Sequence, residues 1–184
     1  MNNDSPWNSE QIPQESNLLR QIPAFKRDTE TARPHKFPGP DHFALREDLE
    51  EDSLSFNWET YASIEKSYTL IALTIGSNGK HIDYTGYVFY RYPVEFIIGL
   101  PKFEKLIHDP KFYGNPSKVG QPNNKSHALL YCGNFDVSTR ALLSLYCQEE
   151  TGSLLAFKVK TIRDDIEDLK TRAPDIPYHK DWVF

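Results

Sequence analysis

The positions of the thirteen prolines constrain the fold of this chain more than any other sequence feature. Proline fixes φ and lacks a backbone N–H group, so it interrupts helices and internal strands. Six prolines fall within residues 1–40, and two more fall within residues 174–184. This distribution predicts an extended proline-rich arm at 1–40, a single domain at 41–173 and an extended aromatic arm at 174–184.

Hydrophobic alternation and turn residues predict the first strands of the domain. Residues 53–58 alternate apolar side chains on one face, which is typical of a strand. The β-rich run 68–75 is followed by Asn78-Gly79, a strong hairpin signal, and by a second β-rich run at 81–92. We therefore expect 68–75 and 81–92 to pair as antiparallel strands.

Two prolines inside the domain favour helix starts. Proline suits the first position of a helix, so Pro93 and Pro101 are each expected to begin a short helix. Residues 109–125 contain three prolines and two glycines and show no periodicity. A structureless segment of this length is either functional or mobile, and we expect a long loop here.

The last third of the domain predicts a strand at 127–132, a turn, a helix from about 137 to 150, a strand at 151–160 and a charged amphipathic helix at 161–172. Together with the earlier elements, this order indicates an α+β fold. We expect a mixed, largely antiparallel sheet of about five strands with three to four helices, flanked by the two arms.

Charge distribution disfavours a nucleic-acid-binding protein. The formal net charge is −5. The first 52 residues carry 11 acidic and 6 basic side chains, whereas residues 53–184 carry 15 of each. Binding to nucleic acid requires clustered Lys and Arg side chains that release counterions, and the neutral body lacks such a patch.

Membrane and export signals are not recognisable in the sequence. No run approaches the roughly 18–20 apolar residues that a membrane span requires. The amino terminus lacks the basic and apolar regions of a signal peptide. The two cysteines, Cys132 and Cys147, fit a reducing compartment with buried thiols, so we expect a cytoplasmic protein.

The segment Ser126 to Leu143 resembles a catalytic loop until its residues are counted. A phosphatase-type loop needs an arginine six residues after the cysteine, and here Arg140 follows Cys132 by eight. His127 and Cys132 are five residues apart on one strand, so they face opposite sides. The segment therefore predicts a strand–turn–helix joint in which Asp136 caps the helix, and Arg140 either pairs with Asp136 or reaches a ligand.

A ligand site remains possible at the carboxyl end of strand 127–132, where α/β-type folds tend to bind ligands. The candidate lining residues are Cys132, Asn134, Ser138 and Arg140, joined by His42 and Arg46 from the polar cluster that follows the first arm. No histidine or cysteine pair has metal-ligand spacing, so we expect neither a metal nor a cofactor. Cys147 lies on an apolar helix face and is expected to be a core thiol.

The two arms carry isolated apolar and aromatic residues, which is what an extended peptide needs to dock on a surface. This docking is either onto the chain's own domain or onto a partner. The candidate docking residues are Trp7, Ile12, Leu18, Leu19, Ile22, Phe25, Trp182 and Phe184.

Two function classes follow from these observations. The first is a non-catalytic interaction module or accessory subunit of a larger assembly, which docks on a protein partner or self-associates through its arms. The alternative is a small enzyme or ligand-binding domain with its site at the carboxyl end of strand 127–132. The arms and the absence of any recognisable catalytic motif favour the first class.

Overall fold

The computed structural model describes residues 6–23, 38–45, 52–76, 78–113, 121–133, 135–149, 154–155 and 167–168. Its strands are β1 (Asn17–Pro23), β2 (Leu54–Trp58), β3 (Tyr87–Pro93), β4 (Phe103–His108), β5 (His127–Cys132) and β6 (Leu154–Leu155). Its helices are α1 (Ile64–Leu73), α2 (Val94–Ile98) and α3 (Val137–Glu149). Single 3-10 turns occur at Pro40–Phe43 and Tyr84–Gly86.

One sheet organises the fold, with the strand order β4-β5-β2-β1-β3-β6. Every pairing among the described strands is antiparallel. The sixth strand contributes only a two-residue pairing with β3. The predicted α+β fold, with a largely antiparallel sheet of about five strands and three helices, is confirmed.

The first strand is a central strand of the sheet. It pairs with β2 through Leu18 and Leu19, and with the whole of β3. Leu18, Leu19 and Ile22 are at most 2% exposed. We predicted these three residues as docking residues of an extended arm, on the chain's own domain or on a partner; the extended arm and the partner contact are wrong, because the strand fills the gap between β2 and β3 and buries them in the domain.

The segment before β1 also packs on the domain. The ring of Trp7 makes an edge-to-face contact with Phe112, with 5.6 Å between ring centroids. The backbone N–H of Glu10 donates to Nδ1 of the buried His108 at 3.2 Å. Ile12 packs against the main hydrophobic core. Trp7 and Ile12 therefore dock on the chain's own domain, which was one of the two alternatives for the arm.

The two faces of the sheet carry cores of different size. Even-numbered residues of the central strands, such as Leu18, Phe56, Tyr90 and Leu130, face a large core that includes α3. Odd-numbered Leu19 and Phe89 face a smaller cluster with α1. Because side chains alternate along a strand, each strand contributes to both faces.

The predicted strand at 68–75 is wrong, because residues 68–73 form the second half of the helix α1, which ends at Leu73. Ser63 caps this helix, its side chain accepting from the backbone N–H of Lys66 at 3.3 Å. Residues 67–73 are all buried, and a continuous apolar run does not distinguish a strand from a buried helix. Of the expected hairpin, a single bridge between Ile75 and His81 remains, closed by the turn at Asn78-Gly79.

The helix predicted to begin at Pro101 is also wrong, because residues 103–108 form the strand β4. This strand pairs with β5 over most of its length, with a register irregularity after Phe103. The partner strand therefore decides its conformation. His108 lies at the end of β4 and is 1% exposed.

The strand–turn–helix joint after His127 is confirmed. The strand β5 spans His127–Cys132, as predicted, and α3 begins at Val137. The Asp136 carboxylate accepts from the backbone N–H of Thr139 at 3.0 Å, which is a helix cap. Of the two alternatives for Arg140, the pair with Asp136 is not formed; its guanidinium lies 3.6 Å from the Asp41 carboxylate.

Some predictions fall outside the described residues. They concern Asn134, Arg46, Phe25, Trp182 and Phe184, and most of the strand at 151–160 and of the helix at 161–172. Within these last two segments, Leu154–Leu155 pairs with β3 and residues 167–168 are helical.

A pair of substitutions in β1 tests its place in the sheet. Leu18→Ala should lower the free energy of unfolding by about 2–5 kcal/mol, because it removes a fully buried side chain from a central strand. Gln21→Ala, on the same strand but exposed, should change it by less than about 0.5 kcal/mol. Urea denaturation followed by circular dichroism measures both, and equal small effects would show that β1 is not part of the core.

Candidate functional site

A cleft of about 300 Å³ opens on the sheet face that α1 covers only in part. Its floor is formed by β1, β2 and the start of β5, and its walls are α1 and the two ends of the loop that joins β4 to β5. The apolar part of the lining includes Leu70, Ile71 and Ile82. The polar part includes Gln21, Ser55, Asn57, Lys111, Asn124 and His127.

Polar residues lie on this face because of strand alternation. In β2, Leu54, Phe56 and Trp58 face the large core, so Ser55 and Asn57 face the opposite side. In β5, Ala128 and Leu130 face the large core, and His127 faces the cleft. The register opposes Asn57 to His127, which brings three hydrogen-bonding side chains together on two neighbouring strands.

An amide network joins α1, the sheet and the loop at the cleft. The Asn57 side-chain amide donates to Ser67 Oγ on α1 at 3.1 Å. The Asn57 Oδ1 atom accepts from Nδ2 of Asn124 at 3.1 Å. The Asn124 Oδ1 atom in turn accepts from the backbone N–H and the hydroxyl of Ser126, at 2.9 and 2.6 Å. These bonds fix both amide orientations.

The histidine of the cleft makes a second network. His127 Nδ1 lies 3.0 Å from the Asp109 carbonyl oxygen and 3.3 Å from Asp109 Oδ2. His127 Nε2 lies 3.3 Å from Ser55 Oγ. Both groups beside Nδ1 are acceptors only, so in the neutral ring Nδ1 carries the proton and Nε2 accepts from the Ser55 hydroxyl.

The carboxylate of this network is held in its charged form. Partial burial acts to raise the pKa of Asp109, but hydrogen bonding and charge attraction from His127 and Lys111 outweigh it. The pKa of Asp109 therefore lies below its usual value. Lys111 forms an ion pair with the same carboxylate, so Asp109 and Lys111 together carry no net charge at neutral pH.

The loop between β4 and β5 is ordered at both of its ends. The backbones of Lys111 and Asn124 exchange two hydrogen bonds of 2.8 Å. The Tyr113 hydroxyl donates to Gln121 Oε1 at 2.6 Å. The predicted structureless segment 109–125 therefore has a closed neck that positions Asp109, Lys111 and Asn124 over the sheet.

Of the residues that we predicted to line a ligand site, the four that the structure describes (Cys132, Ser138, Arg140 and His42) lie outside the lining of this cleft. Cys132 is 0% exposed at the other end of β5. Ser138 lies in the first turn of α3, where its hydroxyl donates to Asp136 Oδ1 at 2.7 Å. The His42 ring lies 3.2 Å from the Gly39 carbonyl oxygen, in the turn that contacts α3.

Sequence reasoning missed Ser55, Asp109 and Asn124 and considered His127 only beside Cys132. A signal was present in the alternation. Ser55 and Asn57 are the polar positions of an otherwise apolar strand, and His127 begins the face of β5 opposite Cys132. The register that joins β2 to β5 is not contained in either segment alone.

Comparison of the chain with protein-family models, with curated proteins and with solved structures gives no match. Among the described residues, no group of three or more His, Cys, Asp or Glu side chains is arranged to hold a metal ion. The described helices include none that is both long and apolar enough to cross a membrane. The function is therefore argued from the geometry of the cleft.

The two thiols provide a test of the site that we first considered. Burial raises the pKa of Cys132 to about 11 and is the main cause that raises the pKa of Cys147 to about 12. Neither is disulfide-bonded. Both should stay unmodified by iodoacetamide at pH 8 in the folded protein and become alkylated after denaturation, as measured by mass spectrometry, because the thiolate is the reactive form.

The same shifts predict the direction of a pH effect on stability. The folded-state pKa values lie above the ordinary value of 9.0, so the folded protein retains these protons longer than the unfolded chain. Their contribution to stability is complete below pH 9 and is lost as the pH rises towards the folded-state values. In the alkylation experiment at pH 8, rapid modification of Cys132 alone would contradict the prediction and would support the ligand site at the carboxyl end of β5.

Proposed function

We propose that the chain is a small ligand-binding domain or enzyme whose site is the cleft over β2 and β5. The observation that carries this proposal is the convergence of Asn57, Asn124 and His127 on one cavity with an apolar wall. Small-molecule sites are concave, mostly apolar and equipped with a few well-placed polar groups. The site lies at the amino-terminal end of β5, opposite the end that we predicted.

Cavity size and charge define the ligand class. A volume of about 300 Å³ is at the lower limit for small-molecule sites, which favours a compact ligand. Lys111 is the only charged side chain among the described lining residues apart from the titratable His127, and Asp109 neutralises it. An uncharged ligand with a carbonyl acceptor and an apolar group fits this lining better than an anion does.

Filling the cleft tests the proposal. Gln21 lines the cleft from an exposed position of β1, so Gln21→Trp should place an indole in the cavity without disturbing the core. The probe is 4-nitrobutyranilide, which joins an amide carbonyl to a propyl group and an aromatic ring. We expect saturable chemical-shift changes at the backbone amides of Asn57, Asn124 and His127 in the wild-type protein.

The matched control is Gln21→Ala, which leaves the cavity open. Binding should be retained in Gln21→Ala and lost in Gln21→Trp. Saturable shifts that map elsewhere in the chain, or that survive in Gln21→Trp, would contradict the proposal, and so would the absence of any saturable shift in the wild-type protein.

An interaction module is the second candidate function, and one observation favours it. The apolar side chains of Val137, Leu142 and Leu145 on α3 are 67%, 38% and 42% exposed. Exposed apolar patches often mark protein–protein contacts. The simplest partner for these three side chains is the same three side chains of a second copy of the chain, since two-fold contacts are the commonest in oligomers. Three side chains cover much less than the roughly 800 Å² per partner of a standard interface, so this association would be weak.

Sedimentation equilibrium tests this second candidate. Wild-type protein should show a reversible, weak dimer, and Leu142→Asp with Leu145→Asp should shift it to monomer, because charged side chains replace the apolar contact. Lys66→Glu changes the net charge by the same amount on the exposed surface of α1 and should leave the dimer unchanged. A monomeric wild-type protein at the highest soluble concentration would exclude self-association through α3.

A further inference from the structure

Two side chains that line the cleft, Ser55 and His127, lie in a row of contacts with a third, Asp109, which is outside the lining. Ser55 comes from the middle of β2, His127 from the start of β5 and Asp109 from the residue directly after β4. Their contacts run in one direction, from the Ser55 hydroxyl to His127 Nε2 at 3.3 Å, and from His127 Nδ1 to Asp109 Oδ2 at 3.3 Å.

We propose that Ser55, His127 and Asp109 form a hydrolytic triad that cleaves small, uncharged carboxylic esters bound in the cleft. This proposal rests on the cleft being a ligand site. A triad is recognised by geometry and roles, and the roles here are a nucleophile, a base and a group that orients the base. Ser55 and His127 are the catalytic residues, and Asp109 is a positioning residue.

The sheet register explains why serine and histidine are within reach. Asn57 is the direct partner of His127, and Ser55 is its diagonal neighbour on the same face of the sheet. Diagonal neighbours lie close enough for a long side chain to bridge them. Both catalytic residues are thus on paired strands rather than on loops, which favours a fixed geometry.

The position of Asp109 selects the productive form of the imidazole. Its backbone carbonyl oxygen accepts from Nδ1 at 3.0 Å, and its carboxylate Oδ2 lies 3.3 Å from the same nitrogen, which leaves the lone pair of Nε2 directed at the Ser55 hydroxyl. The opposite tautomer would place a proton between Nε2 and Ser55 and could not act as a base. Lys111 keeps the Asp109 carboxylate charged through their ion pair.

Each step of the reaction balances. Ser55 Oγ transfers its proton to His127 Nε2 and forms a bond to the ester carbonyl carbon, whose π electrons move to oxygen. The tetrahedral species collapses, the bond to the alkoxy oxygen breaks, and that oxygen takes the proton from Nε2. Water then repeats the sequence on the acyl-serine, releasing the carboxylic acid and regenerating Ser55.

The negative charge on the carbonyl oxygen needs a stabilising group in the cleft. The ammonium group of Lys111, which also pairs with Asp109, is the cation that lines it, and positioned donors or cations at a developing oxyanion are the usual means of stabilisation. An ester is favoured over an amide because its alkoxy leaving group departs more readily. The apolar wall of Leu70, Ile71 and Ile82 suits a short acyl chain.

Labelling of the wild-type protein is the first test and does not depend on how any variant folds. A fluorophosphonate probe reacts with activated serines, so intact mass spectrometry should show one adduct, and peptide mapping should place it on Ser55. The control is Ser53→Ala, two residues earlier and outside the cleft lining, which should label as the wild-type protein does.

Hydrolysis of 4-nitrophenyl butyrate is the second test. Ser55→Ala should reduce the rate to that of the buffer blank, and His127→Ala should lower kcat by about 10²–10⁴-fold, as expected for loss of a general base. Asp109→Asn should lower kcat more than it changes KM, because a positioning residue acts on the tautomer and not on binding. Ser53→Ala should leave kcat and KM unchanged.

The outcomes separate the triad from the cleft. If 4-nitrobutyranilide binds in the cleft but Ser55 is not labelled and the ester is not hydrolysed, the triad is overturned and the ligand site stands. If neither probe binds or reacts, both proposals fail. An adduct on another serine, or hydrolysis that persists in Ser55→Ala, would also overturn the triad.

Discussion

The pairing of β1 with both β2 and β3 is the constraint on which the rest of the structure depends. Without this strand the sheet would divide into β4-β5-β2 on one side and β3-β6 on the other. Because its side chains alternate, Leu18 enters the large core and Leu19 the small one, so one seven-residue strand joins both hydrophobic clusters. The same strand supplies Gln21 to the edge of the cleft. The cleft therefore forms only when β1 lies in its place between β2 and β3.

The cleft follows from the unequal cover of the two faces. The helix α1 packs on Leu19 and Phe89 and leaves the neighbouring surface of β2 and β5 to a loop. Polar side chains on that surface need partners, since unpaired buried polar groups are costly. The loop residues Asp109 and Asn124 provide them, and the result is a set of mutually oriented groups at the base of a cavity. The residues that hold the loop on the sheet are thus the same residues that we propose to bind a ligand.

The sequence predicted the elements whose patterns are local and complete. The alternation of Leu54, Phe56 and Trp58 identified β2, and the Asp136 cap identified the start of α3. The segments 68–75 and 103–108 were assigned wrongly because their conformations depend on neighbours: α1 on its Ser63 cap and its burial, β4 on its pairing with β5. The sequence directed attention to the other end of β5 for a topological reason. In parallel sheets, ligands bind at the carboxyl ends of the strands, which all lie at one edge. In an antiparallel sheet, the carboxyl ends of neighbouring strands lie at opposite edges. The prediction of Cys132 therefore rested on a rule for parallel sheets, which does not apply to this antiparallel sheet. The position of His127 beside Ser55 and Asn57 depends on the register between β2 and β5, which only the three-dimensional structure gives.

The central position of β1 also affects how the chain is made. A ribosome makes β1 before either of its partner strands. The partner β3 ends seventy residues after β1, at Pro93. At about 5–20 residues per second, the nascent strand waits about 4–14 s for that partner. During this interval the hydrogen-bonding edge that pairs with β3 is unpaired, a state that invites association with other chains. The topology that places β1 between β2 and β3 thus leaves one of its edges open to other chains while the chain is being made.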